Sequence, residues 1–380
     1  PETNKKKVVW KERPISYASH YDSLIYSWYT HQLEFYYEQK LKEAGLNTNV
    51  IAYRKLGKDN LDFALEVFEF IKTLPKCVTL CLDIKGFYDN LDFNILKKAW
   101  KENLDTTDLS KDHYAIYKSI TRYAYIRARE VNKLRKIASE TVPESRFILN
   151  TKVLDWLRKN KKVKQNKIKG IPQGTPISCA LSNLYMFNFD KALAEKVNNL
   201  GGLYRRYSDD ILIVCPNESF LEDLQLFIRG KIDELKLKIQ EEKTEKRYFL
   251  NTENGFICSD KKGNNSKLQY LGVVFDNQDM SLRHKGYAKF ERKMKNAIAR
   301  KVANAEENKI PFFKRTIYEN HSPLGKQNYL TYAKNASKKL SSNIVRKQIS
   351  FHRIMKKISK KISKEKSKPM TDVSFETKSI

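Results

Sequence analysis

Apolar and polar positions divide the chain into a readable series of elements. Over residues 17–44, Leu24, Trp28, Leu33, Phe35, Tyr36 and Leu41 recur near helical spacing, and Gly45 suits the stop. NVIAYRKLGKD reads as a short strand-like run that turns at Gly57. In DNLDFALEVFEFIKTLP, Phe63, Val67, Phe68, Ile71 and Leu74 form one helical face, and Pro75 ends it. KCVTLCLD is a buried strand, Val78 to Leu82, that ends at an acid, Asp83. Residues 93–160 are mostly helical and basic, with RYAYIRAREVNKLRK the densest part. A Gly-Pro loop, Gly170 to Pro176, opens a long apolar helix, and GLYRRYSDDILIVCP reads as two strands around a tight turn. ESFLEDLQLFIRGKIDELKLKI is an amphipathic helix, and LQYLGVVFD and MSLRH are short strands. From Lys285 onward the pattern is amphipathic Lys-rich helix, then a disordered tail from about Pro369. No internal repeat interrupts this series.

Composition narrows the class. With 380 residues, 41% hydrophobic and 12% aromatic, the chain is too apolar to be disordered and long enough for more than one subdomain. Its net charge of +29 and isoelectric point near 9.7 imply a polyanionic partner. Residues 285–380 hold 25 Lys or Arg against 7 Asp or Glu, and so carry +18 of that charge. Such a one-sided excess favours a nucleic-acid face. A membrane-surface helix over 344–366, where basic and apolar residues alternate, is the competing reading. No run of 18 apolar residues and no signal peptide is visible, so neither a spanning helix nor export is expected. The five cysteines, Cys77, Cys81, Cys179, Cys215 and Cys258, are odd in number and form no C-x-x-C pair. That argues against zinc and disulfide frameworks and for a reduced, cytoplasmic protein.

The candidate chemistry starts at Asp209 and Asp210, two like charges beside the apolar run Ile211 to Val214. Ser-Asp-Asp is good turn chemistry, so a simple hairpin accounts for it by itself. A metal site needs a second acid from elsewhere, and Asp83, also at a strand end, is the natural candidate. Two strands of one sheet can bring such ends side by side, and acids that close need a cation. Hard oxygen ligands favour magnesium, with manganese as the substitute, held by one or two carboxylates and substrate phosphates. Two such ions serve nucleotidyl transfer.

The ordered set LDIKGFYDNL, GIPQGTPISCALSNLYM, YRRYSDDILIV, EEKTEKRYF and LQYLGVVF resembles the serial palm motifs of reverse transcriptases. These motifs cover about residues 76–276. The resemblance implies an α+β right-hand polymerase with a ferredoxin-like palm, fingers and a helical basic thumb. It places an N-terminal helical region at 1–45, fingers at 46–75 and 92–179, palm at 76–91 and 180–282, thumb at 283–366 and a tail at 367–380. It makes Asp83 and Asp209 metal ligands, with Asp210 the neighbouring, less critical acid. Tyr88 takes the place of an aromatic steric gate that favours deoxynucleotides. Gln173 matches a residue packing near the incoming nucleotide and template base, in a loop where Gly170 and Gly174 let backbone approach nucleic acid. Lys243 matches a lysine near the departing pyrophosphate, Arg54 and Lys55 resemble fingers residues that clamp the triphosphate, and Leu271 and Gly272 resemble a primer grip. For each residue outside the acids a structural alternative stands: core tyrosine, loop geometry, solvated lysine. Cys179 departs from the family, where many members have Pro after the Ser.

The implied activity is RNA-directed DNA synthesis, with an RNA template, deoxynucleoside triphosphates and a DNA product as partners. No acidic cluster after Phe275 suggests a ribonuclease H domain, and no Cys/His cluster suggests an integrase. The aromatic N-terminal helix leading into VIAYRK is similar to the bacterial "unknown group", or defence-associated, reverse transcriptases. These act against phage, often with a dedicated non-coding RNA. The compact size is also that of retron enzymes, although their V-T-G and N-A-x-x-H motifs are not found. The alternatives are a template-independent or protein-primed polymerase, an RNA-dependent RNA polymerase, and a non-catalytic RNA-binding scaffold. The aromatic N-terminal surface is compatible with homo-oligomers.

Overall fold

The computed structural model describes residues 14–131, 151–166, 168–253, 255–276, 280–325, 328–340 and 350–367. The proposed tail, the segment before residue 14 and the end of RYAYIRAREVNKLRK lie outside them. Within the described residues helices and strands mix in an α+β arrangement.

In chain order, α1 (His20–Glu43) starts where Ser19 accepts the Asp22 N–H, and buries Tyr26, Leu33, Tyr37 and Leu41. α2 (Asn60–Thr73) begins with a capping box between Asp59 and Asp62 and buries the face the periodicity marks. β1 (Lys76–Asp83) is followed by a single turn, α3 (Phe87–Asn90), and by α4 (Phe93–Asn103), capped by Asp92. α5 (Lys111–Thr121) leads to a small ribbon, β2 (Ala124–Tyr125) with β3 (Lys164–Gln165), and α6 (Thr151–Lys159) lies between those two strands in sequence. α7 (Pro176–Asn199) is apolar on nearly all sides. The hairpin of β4 (Leu203–Tyr207) and β5 (Asp210–Cys215) comes next, then α8 (Leu221–Glu234). β6 (Glu245–Thr252) and β7 (Gly255–Ser259) form a second hairpin, and β8 (Leu268–Tyr270), β9 (Val273–Phe275) and β10 (Met280–Leu282) a three-stranded sheet. Four helices follow: α9 (His284–Glu307), α10 (Arg315–His321), α11 (Tyr329–Lys339) and α12 (Phe351–Lys366).

These elements form two compact units, one of residues 1–54 and 79–245, the other of 55–78 and 246–380. In the first, α7 packs against α1, α4 and β4. A helix that is apolar all round must be enclosed, and Ile177, Leu181, Met186, Phe189 and Leu193 are all buried there. The sheet of this unit places β5 between β4 and β1. α1 keeps its other side open: Tyr21, Leu24, Trp28 and Phe35 are exposed. In the second unit α2 lies on β9, where Phe275 stacks between Phe68 (4.8 Å) and Phe249 (5.7 Å). α9 and α12 join through Phe290, Met294, Ile298 and Val302 on one side and Ile354, Ile358 and Ile362 on the other.

Two expectations need correction. NVIAYRKLGKD is not a strand. Only Val50 makes an isolated bridge, to Arg206, because Tyr53 (φ 62°) and Gly57 (φ 68°) turn the backbone out of extended conformation. The β6–β7 hairpin was not anticipated at all. Its first strand is mostly half-buried and therefore carries no strict alternation. None of the five cysteines is in a disulfide, and no described helix is long and apolar enough to cross a membrane.

Candidate active site

β1 carries Asp83 at its last residue because its apolar run ends there. The chain then bonds on both flanks. The Ile84 N–H donates to the Asp209 carbonyl (3.2 Å), while the Asp83 carbonyl accepts from the Gln240 N–H (2.7 Å) and the Lys85 N–H donates to Lys238 (2.8 Å). The acid-bearing ends of β1 and of the β4–β5 hairpin are thus adjacent. Tyr207 pairs with Asp210, so Ser208 and Asp209 form a two-residue turn, which needs positive φ; Ser208 supplies it at 60°. Asp83 and Asp209 are half-buried and Asp210 is exposed.

The turn is held by a buried arginine of β4 to which no motif assigns a role. Arg206 is fully buried. Its guanidinium grips Asp190 of α7 with both oxygens (2.7 and 2.6 Å), and donates to the Asn183 side chain (3.2 Å) and the Ser208 carbonyl (3.1 Å). Tyr204 donates to the same carboxylate (2.5 Å). Burial alone would depress the Arg206 guanidinium, but the Asp190 charge beside it raises it above its ordinary value. The polar atoms of this cluster are spent on one another and on the Ser208 and Ala52 carbonyls, so it fixes the hairpin rather than meeting a phosphate.

Tyr88 sits on α3, one turn after Asp83, and is buried. Its hydroxyl donates to the Tyr53 hydroxyl (3.2 Å) and lies 3.5 Å from Ser182 Oγ and 3.9 Å from Cys179 Sγ. Burial, reinforced by Cys179, holds the Tyr88 phenol well above its ordinary value, so it stays a neutral donor. The Gly170–Thr175 loop is stitched to the same turn. The Ile171 N–H donates to the Tyr88 carbonyl (2.9 Å) and Gly170 to Leu91 (2.8 Å). Gly170 has φ 82°, and a Cβ there would stand 2.6 Å from the Asp89 carbonyl oxygen, so no other residue fits. Gln173, in this loop, is half-buried, and its carbonyl accepts from the Ser16 N–H (2.7 Å).

Lys243 comes directly to the first acid: its Nζ is 2.6 Å from Asp83 Oδ2. It neutralises the carboxylate where a cation would. Arg54 is placed differently from expectation. All five of its N–H groups are spent, on Glu38, the Asn47 side chain and carbonyl, and the Val50 carbonyl, and its side chain is 2% exposed. In this structure it braces α1 against the 47–50 turn and has no donor left for a triphosphate. Lys55 is exposed in the second unit, and in the turn at Leu271 and Gly272 the leucine is half-buried and the glycine exposed. That turn joins β8 to β9 with φ of 44° and 88°, a two-residue hairpin in which Gly272 takes its positive φ freely and Leu271 bears the strain.

Tyr53 was missed by the sequence reading. It is a non-glycine residue in the left-handed region, which costs about 1–3 kcal/mol and persists only where surroundings over-determine it. No sequence pattern signals this, since Tyr has no turn preference.

The donor set fits magnesium. Among the described residues no three His, Cys, Asp or Glu side chains form a ready-made cage. Magnesium, however, takes one or two carboxylates and completes its shell with substrate phosphates and water. Two half-buried carboxylates on adjoining strand ends, one already countered by an ammonium group, match that requirement.

A protein family described as "Reverse transcriptase (RNA-dependent DNA polymerase)" matches residues 4–275. No curated protein matches the sequence. Among solved structures the chain is similar to apo telomerase from Candida tropicalis, at 16% identity and a TM-score of 0.43 over 91% of this chain and 57% of that one. It is also similar to telomerase from Candida albicans in complex with a fragment of telomeric RNA, at 13% identity and a TM-score of 0.40 over 89% and 54%. The chain spans about half the length of these telomerase chains.

Proposed function

The chain belongs to the reverse transcriptase (RNA-dependent DNA polymerase) family, and from that premise we propose that it is an RNA-directed DNA polymerase acting at Asp83 and Asp209. The observation that supports this best is the Ile84-to-Asp209 backbone bond, which holds the two strand-end acids together. Magnesium, or manganese in its place, would be held by Asp83 and Asp209 with Asp210 beside them, and supplies activation of a primer hydroxyl and stabilisation of pyrophosphate. Lys243, paired with Asp83, is the residue that would meet the leaving pyrophosphate. Tyr88 lies under the incoming sugar and excludes a 2′-hydroxyl. Gln173 contacts the nucleotide and template base, Lys55 the triphosphate, and Leu271 and Gly272 the primer strand. Residues 46–75 and 92–179 act as fingers, 76–91 and 180–282 as palm and 283–366 as thumb, whose lysines grip a template–primer duplex. The aromatic N-terminal helix leading into VIAYRK favours a bacterial antiphage role with a dedicated non-coding RNA template.

The test is to purify the wild type and an Asp209→Asn, Asp210→Asn double variant with their bound nucleic acid, then supply magnesium and labelled deoxynucleotides. Wild-type DNA copied from co-purified RNA, absent from the double variant, is the expected result. DNA of low complexity or attached to protein would indicate untemplated or protein-primed synthesis, and incorporation of ribonucleotides alone an RNA polymerase. Synthesis that survives in the double variant would refute the assignment of the acids.

A further inference from the structure

Tyr53 occupies a position that nothing in the motif pattern explains. Its hydroxyl donates to Ser208 Oγ (3.1 Å) and accepts from the Tyr88 hydroxyl (3.2 Å). One oxygen therefore links the residue before Asp209 to the ring one turn after Asp83. The surroundings force this placement. The Ile51 N–H donates to Arg206 (3.0 Å), the Ala52 carbonyl accepts from Asn183 of α7 (3.0 Å), and Arg54 is locked by its five bonds. With both neighbours fixed, residue 53 must turn through φ 62°, and the ring is carried over the hairpin, 6.4 Å from that of Tyr207. Such strain, kept in place by buried bonds on either side, marks a position whose side chain is being aimed.

Without the Tyr53 oxygen, the Tyr88 hydroxyl retains only the longer approaches to Ser182 (3.5 Å) and Cys179 (3.9 Å). Neither fixes the ring's tilt as a hydrogen bond of normal length does.

We propose that Tyr53 is a specificity-determining positioning residue: its hydroxyl sets the tilt of the Tyr88 ring against the Ser208–Asp209 turn, so that the gate stays closed to ribose. This rests on the polymerase reading above. A rigid gate rejects a 2′-hydroxyl only if the ring cannot swing aside, and here the ring's tip is tied to the same turn that carries a metal-binding acid. Gate and acid then keep one spacing.

The measurement is the ratio of kcat/KM for a deoxynucleotide over the matching ribonucleotide, on a primed RNA template. It is made for the wild type, Tyr53→Phe, Tyr88→Ala, their double variant and Ser208→Ala. Tyr53→Phe removes one oxygen, and the ratio should fall about fivefold, the effect of one neutral hydrogen bond, through a gain in ribonucleotide kcat/KM. The double variant should fall no further than Tyr88→Ala, because Tyr53 acts through Tyr88. Ser208→Ala cuts the tie between the Tyr53 hydroxyl and the turn but leaves the Tyr53–Tyr88 bond in place, so it should lower the ratio too, by no more than Tyr53→Phe does. An unchanged ratio in Tyr53→Phe, or additive losses in the double variant, overturns the proposal. Failure of the underlying reading looks different: no wild-type synthesis at all, or a Tyr88→Ala enzyme with the wild-type ratio, which removes the gate and the proposal with it.

Discussion

The acid-bearing strand ends of the first unit and the basic helices of the second are built on opposite principles. Around Asp209, position is set by buried polar bonds: Arg206, Asp190, Tyr204 and Asn183 each satisfy one another or the backbone. In the helices, position is set by an apolar stripe, Phe290 to Val302 against Ile354 to Ile362, and most of the lysines stand outward. A network of the first kind has no redundancy, since each buried group left unpaired is costly. A surface of the second kind has many equivalent charges, none of which needs an exact place. Catalytic geometry should therefore fail at single residues, and nucleic-acid grip should fail by degrees.

The buried pair is where a single change should cost most. Asp190→Ala strands the Arg206 charge and should cost about 3–5 kcal/mol, read as a lowered denaturant midpoint. If it costs less than 1 kcal/mol, the network is not what fixes the turn. A smaller, graded effect is expected on α12, where Lys356, Lys360 and Lys364 are exposed at helical spacing. Changing them to Gln one, two and three at a time should weaken binding to any duplex sequence alike. Each lost phosphate contact should flatten the salt dependence, log K against log salt, by about 0.9. A loss confined to one substitution would mean that this surface, too, has a fixed geometry.

The smallest effect concerns α2. A hydrogen bond from the Asp59 N–H, then Lys339, holds the Asp62 carboxyl below its ordinary value. A depressed carboxyl contributes stability above its unfolded pKa and loses it as the pH falls through its folded one. Stability should thus decline as the pH is lowered below the ordinary carboxylate range. Asp62→Asn should remove a few tenths of a kcal/mol of that dependence, small because the pair is solvent-exposed. Thermal melts across acid pH measure it.

Much of this contrast was legible in the residues. The strand ending at Asp83, the tight turn before Asp210, and the loop opening α7 follow from apolar run lengths and turn residues. So does α2, from its face and its stop at Pro75. What escaped was the assignment of cations. Arg54 looks like a phosphate ligand in one dimension and Arg206 carries no motif role, yet both are buried braces whose partners, Glu38 and Asp190, lie 16 residues away in sequence. Nothing in a charge pattern separates a paired arginine from a free one. Tyr53 escaped because a left-handed backbone at Tyr is imposed by its neighbours' tertiary bonds. The β6–β7 hairpin escaped because half-buried strands blur the two-residue period.

The order in which the chain visits its two units bears on how it is made. Each unit is discontinuous: the first is left at Arg54, rejoined at Thr79 and left for good at Glu245. On the ribosome, α1 must therefore wait for some 200 further residues before β4, β5 and the segment flanking Asp83 have all emerged. The stretch 55–78 must wait for its sheet and helices until still later. No contiguous fragment is a natural folding unit. A synthesis pause before residue 245 would hold, and a premature stop would release, a chain with exposed strand edges and apolar α7 surface, a substrate for chaperones and proteases.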